Sequence, residues 1–192
     1  TQFPQNSMNP QVQEKKKHRI AETFQEHIEV FGFNKTSVDE IAGSLRISKK
    51  TIYQLFSSKQ EIFNYIVEMK SGGYASEIRD ILLRNYTHRQ KIKCMVGLFL
   101  NHRIEWNQKQ SSLKTRHKAD IAKAAFNRAF FDLLDELVRD GIKRNIYTVK
   151  DARLTLAFIR SILLCAEDRV RQELNPTLEQ ETVTAINRLL SY

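Results

Sequence analysis

Six polar side chains surround one isoleucine in Ser48-Lys49-Lys50-Thr51-Ile52-Tyr53-Gln54. Lysine can donate to guanine O6 and N7, and glutamine can pair with adenine N6 and N7. Ser48 and Thr51 add short hydroxyls to the same cluster, and Tyr53 a phenol. Thr36 and Ser37 stand at a helix start, where free N–H groups favour a phosphate, and Lys59 follows Ser58 at another. Other chemistry is sparse. There is no G-x-x-x-x-G-K-[ST], G-x-G-x-x-G or G-x-S-x-G sequence. The 5 histidines form no H-x-x-x-H or H-E-x-x-H pair. His88 and His102 share a helix face but lie roughly 21 Å apart at helical rise. Catalysis, a metal site and a cofactor are therefore not expected.

A second group of residues suits a small-molecule site. Phe99, His102, Arg103 and Trp106 belong to one expected helix, Phe126 and Phe130 to the next, and Glu167 to a third. Aromatic walls with a few polar groups favour an organic ligand. The same residues suit a plain core, so the charges are the more informative. A buried Arg103 or Glu167 needs a partner. From Arg84 to Lys118 there are nine Lys and Arg against Glu105 alone. That run fits an anionic ligand such as an acyl-coenzyme A, or equally a solvated face.

The elements that position these groups are helical. Six Gly and three Pro in 192 residues are too few for the turns of a sandwich or barrel. Ile20, Phe24, Ile28 and Phe31 line one helix face, ended by Gly32. Ser37 and Glu40 form a capping box for a short helix, and Ser48 caps another that runs to about Phe56. Ser58 and Glu61 open a longer helix to about Tyr86, with a bend or break expected at Gly72-Gly73. Four more helices are expected, over about 88–106, 118–140, 150–172 and 177–190. Gly141 ends the second of these and Pro176 precedes the last. The fold class is all-α, with about nine helices in total.

Net charge is +9, which suits a polyanionic partner. It does not mark the polar cluster, because residues 1–70 carry only +2 and residues 71–192 carry +7. Residues 1–13 read as a disordered polar tail, without the basic and apolar regions of a signal peptide. Lys15, Lys16 and Lys17 are a floppy lead-in or an arm along DNA. Cys94 and Cys165 form no CxxC, as in a reducing cytoplasm. No stretch has the roughly 18 uninterrupted apolar residues of a membrane span.

Two short helices crossing steeply need a small residue at the crossing and apolar residues at fixed offsets. In a twenty-residue frame starting at Val38, Ala42 is the small residue. Ile41, Leu45, Ile47, Ile52 and Leu55 fill the apolar positions. The ninth position, commonly Gly, is Arg46, at a cost of about 1 kcal/mol for a left-handed turn. Together with Thr36-Ser37 and Phe56-Ser57-Ser58-Lys59, this stretch resembles the DNA-binding domain of the tetracycline-repressor (TetR/AcrR) family of transcriptional regulators. The resemblance covers about residues 18–70; the family usually has Gly where Lys50 stands.

The resemblance implies a three-helix helix-turn-helix domain over 14–70 and a larger effector-binding and dimerisation domain over 71–192. Ser48, Lys49, Lys50, Thr51 and Gln54 would face bases, with Lys50 the foremost. Tyr53, Thr36, Ser37 and Lys59 would face phosphates. The last two helices would pair with their copies in a homodimer. A small molecule would release the dimer from a palindromic double-stranded DNA operator, relieving repression. The alternative is a helical ligand-binding or interaction protein whose motif lacks specific DNA binding.

Overall fold

The computed structural model describes residues 9–109, 116–172 and 177–190. Among these, eight helices follow one another: α1 (Pro10–Phe31), α2 (Val38–Leu45), α3 (Lys49–Tyr53), α4 (Lys59–Leu83), α5 (His88–Lys109), α6 (Arg116–Lys143), α7 (Ala152–Gln172) and α8 (Leu178–Leu190). No strand occurs among the described residues. The chain divides into two compact units after Lys70, with residues 116–120 grouped with the first. No helix among the described residues is long and apolar enough to cross a membrane.

Several expected boundaries shift. Residues 10–13 are not a tail but the first turn of α1, with Asn9 as N-cap and Pro10 as a first-turn residue. The Asn9 side chain accepts the Gln11 N–H at 3.0 Å. Residues 1–8 and the expected Pro176 start lie outside the described residues. Helix α3 ends at Tyr53 rather than Phe56, and the chain turns there to bury Leu55 and Phe56. Helix α4 is unbroken at Gly72-Gly73. A glycine weakens a helix interior by about 1 kcal/mol. Buried Ile66, Val67, Tyr74, Ala75 and Ile78 on either side hold the helical course.

Gly141 does not stop α6. It lies inside that helix, which ends at Lys143, and Asn145 takes the left-handed conformation instead, at φ 56°. The N–H groups of Ile146 and Tyr147 both donate to the Gly141 carbonyl, at 2.8 and 3.2 Å. A Cβ at Gly141 would run into the Tyr147 ring. This glycine is needed for close approach, not for a turn.

In the first unit, Ile20, Ala21, Phe24 and Ile28 of α1 are buried with Val38, Ile41 and Ala42 of α2, Ile52 of α3, and Ile62, Phe63 and Ile66 of α4. Tyr65 ties α4 to α1: its hydroxyl donates to Glu14 at 2.6 Å and meets His18 at 3.1 Å. Burial, then the Glu14 hydrogen bond, pushes that phenol above its ordinary range.

In the second unit α7 packs on α8, and α5 packs on both. The buried face of α7 is Leu156, Ile159, Leu163 and Ala166, and that of α8 includes Ile186 and Leu190. Helix α7 has another apolar face as well. Leu154 and Phe158 are each 50% exposed and Leu164 is 41% exposed, beside exposed Ala157 and Cys165.

Candidate nucleic-acid interface and effector site

Local hydrogen bonds set up the helix-turn-helix. The Ser37 side chain accepts the Glu40 N–H at 3.1 Å, and the Glu40 carboxylate accepts the Ser37 N–H at 2.9 Å. These bonds hold the Glu40 carboxyl below its usual range. At the end of α2, Arg46 takes φ 54° and ψ 42° in the left-handed region. The position that commonly carries Gly therefore keeps its conformation with a side chain attached. Ser48 then caps α3 by accepting the Thr51 N–H at 3.1 Å.

Helix α3 buries Ile52 and turns Lys50, Tyr53 and Gln54 to solvent. Their i, i+3, i+4 spacing puts all three on one face. Tyr53 is 45% exposed. Lys49 differs: its ammonium donates to Asp39 at 2.8 Å, across the turn. Ser48 and Thr51 hydrogen-bond each other at 2.8 Å. Those two hydroxyls organise the start of the helix.

The expected phosphate contacts separate into two kinds. Ser37 is half-buried, but Thr36 is only 1% exposed. The Thr36 hydroxyl donates to the Gly32 carbonyl at 3.1 Å. It secures the α1–α2 connection instead of reaching outward. The Lys59 ammonium stands 4.4 Å from the centre of the Phe33 ring and 3.4 Å from the Asn34 carbonyl. Burial lowers its pKa from the usual lysine range.

The expected small-molecule residues also come together, in the second unit. Arg103 and Glu167 are 2% and 3% exposed. The Arg103 Nε lies 3.7 Å from Glu167 Oε2, and Lys123 reaches Glu167 Oε1 at 2.6 Å. Arg103 also donates to Asn127 and stands over the Phe99 ring. His102 lies against Phe126 at 4.3 Å and against Tyr74 at 4.6 Å between ring centres. Phe130 joins through Phe99, at 4.7 Å. The side chain of Trp106 lies outside the described residues.

Tyr74, Lys123 and Asn127 are members that sequence reasoning missed. Lys123 and Asn127 are four apart on α6, as are Phe126 and Phe130, each phenylalanine three residues after one of the polar pair. That i, i+4 polar pair beside an aromatic pair was the available signal. No group of three or more His, Cys, Asp or Glu is placed to hold a metal among the described residues.

Residues 22–66 match the bacterial regulatory proteins of the tetR family. Over 70 residues, 36% of this chain, there is 32% identity to the HTH-type transcriptional activator FasR of Mycolicibacterium smegmatis. That match spans 32% of the length of FasR. The uncharacterized HTH-type transcriptional regulator YhgD of Bacillus subtilis is 24% identical over 181 residues, 91% of this chain and 93% of that protein. Among solved structures, the transcriptional regulator FadR from Bacillus subtilis in complex with stearoyl-CoA superposes with a TM-score of 0.61 at 18% identity. That superposition covers 91% of this chain and 97% of that chain.

Proposed function

We propose a specific mode of action from the premise that the chain belongs to the TetR/AcrR family of transcriptional regulators, proteins that are not enzymes. In our reading, residues 14–70 bind operator DNA, and residues 71–192 bind an effector and form a homodimer. The observation that carries this reading is the shared outward face of Lys50, Tyr53 and Gln54 on α3. Lys50 and Gln54 read base edges there, and Tyr53 contacts phosphate. Ser37 and Lys59 flank the phosphate track; Ser48, Thr51 and Lys49 set the helix that carries the readers. Thr36 supports the connection from within.

A five-residue helix reads few bases, so specificity calls for two half-sites. The exposed stripe of Leu154, Phe158 and Leu164 on α7 supports pairing with a second copy. Large apolar groups left at the surface of one helix gain by mutual burial. Helix α8, next to α7, would complete the four-helix interface.

The Arg103–Glu167–Lys123 cluster with its ring of aromatics supports an effector that has an apolar body and a polar or anionic group. FadR of Bacillus subtilis, which shares the fold, was solved with stearoyl-CoA, and the ligand class proposed for this chain includes acyl thioesters. Effector binding favours a dimer whose recognition helices no longer match successive grooves. Repression is the simplest outcome, since operator occupancy alone blocks transcription.

The test is selection of bound fragments from the source genome, followed by salt titration on the enriched sequence. An inverted repeat with half-sites about one helical turn apart is expected. Binding that ignores sequence and vanishes at moderate salt would sink the reading.

A further inference from the structure

Among the described residues, two other than glycine take a positive φ. One is asparagine, whose short polar side chain suits that region. The other is Arg46, in the turn between α2 and α3. Main-chain bonds alone close this turn. The Arg46 N–H donates to the Gly43 carbonyl at 3.1 Å, and the Ile47 N–H donates to the Ala42 carbonyl at 3.0 Å. A glycine would make both bonds and enter the left-handed region at no steric cost. The arginine side chain therefore adds nothing to the turn, and it holds the backbone against its preference. Non-glycine residues kept in this region gather at functional sites.

Arg46 is exposed, and among the described residues its guanidinium makes no ion pair, hydrogen bond or ring contact. Nearby Lys49, by contrast, is neutralised by Asp39 at 2.8 Å. Half-buried Ile47 lies between exposed Arg46 and exposed Ser48, so both polar side chains leave the turn on its solvent side. Arg46 stands two residues before the cap of α3 and four before Lys50. It is an uncompensated cation at the approach to the helix that carries the readers. A guanidinium pairs with a phosphate through two parallel hydrogen bonds, a match that a glycine cannot offer.

We propose that Arg46 is a further DNA contact, binding a backbone phosphate beside each half-site and anchoring the approach to α3. The proposal rests on the reading that α3 enters operator DNA. Such a contact adds affinity without sequence information, since phosphates are alike at every base pair. The residue that strains the turn is then the one that ties the turn to the duplex.

The experiment is a salt titration of operator binding, read by anisotropy on the full chain with the fragment that genome selection enriches. Arg46→Gly removes the guanidinium and relieves the backbone, so thermal unfolding should occur at the wild-type temperature or above. Binding should nonetheless weaken on all single-base operator variants alike. The slope of log affinity against log salt should become shallower by about 0.9 per half-site. Arg46→Lys should keep the wild-type slope, as should Lys70→Gln at an exposed site on α4. An unchanged slope in Arg46→Gly overturns the proposal, and so does an altered base preference in that variant. A wild-type chain that selects no operator removes the underlying reading, and this contact with it.

Discussion

The Lys49 ammonium sits 2.8 Å from the Asp39 carboxylate, while its neighbour Lys50 extends from the outer face of α3. The ion pair raises the Lys49 pKa, chiefly through the Asp39 hydrogen bond. Two adjacent lysines therefore have different surroundings. Lys50→Ala should relax sequence choice at one base position and cost about 1–3 kcal/mol there. Lys49→Ala should leave base preference unchanged, and Tyr53→Phe should weaken binding to all sequences alike. Anisotropy titrations against single-base operator variants check this. A change of preferred base in Tyr53→Phe would contradict the division of roles.

Phe158 is half exposed, so a charge there need not disturb the subunit interior. Phe158→Glu is expected to yield a folded monomer in sedimentation equilibrium, with cooperative operator binding lost. A dimer that persists would place the interface elsewhere.

Glycines on two helices should respond in opposite directions. Gly72 has nothing within 4 Å of where a Cβ would stand, so Gly72→Ala should stabilise by about 0.5–1 kcal/mol. Gly141→Ala pushes into the Tyr147 ring and should destabilise by about 1–3 kcal/mol. Denaturant unfolding of the two variants reads both signs.

Glu61 accepts hydrogen bonds from the N–H and the hydroxyl of Ser57, and its pKa is lowered by them, the hydroxyl first. A carboxyl whose folded pKa lies below its unfolded value stabilises above the unfolded value, near 4.3. That contribution is lost as pH falls through the lower, folded value. Stability of the wild type should drop on acidification through this window, and Glu61→Gln should show a shallower drop. Identical pH profiles would remove Glu61 from the account.

Breaking the buried ion pair is expected to be costly. Glu167→Gln removes the negative charge that Arg103 and Lys123 share and should destabilise by about 3–5 kcal/mol. Replacing both charges, in Arg103→Met with Glu167→Leu, should recover much of that loss. A thermal-unfolding cycle of Arg103→Met, Glu167→Leu and the double variant measures the coupling, and additive losses would deny it.

Local chemistry was legible in the sequence. The Ser37–Glu40 box, the Gly32 stop and the apolar frame of Ile41, Ala42 and Ile52 depend on residues a few positions apart. The second expected box was legible only in part. Ser58 does cap Glu61, but the Glu61 carboxylate turns to Ser57. Gly141 was misread because a glycine that ends a helix and one that admits a ring look alike in one dimension. What Gly141 meets is Tyr147, six residues on after a reversal. Tyr74 and Lys123 joined the buried cluster through tertiary packing that periodicity does not express. The second apolar face of α7 was hidden for a related reason: Leu154 and Leu156 differ in exposure but not in residue type.

Arg46 acts as a filter on how this chain can drift. Its left-handed backbone admits Gly, Asn and Asp readily and resists β-branched residues. Substitutions that survive at the turn therefore alter its charge while preserving the entry of α3. The entry of α3 thus tolerates a change of charge at position 46 more readily than a change of backbone conformation there.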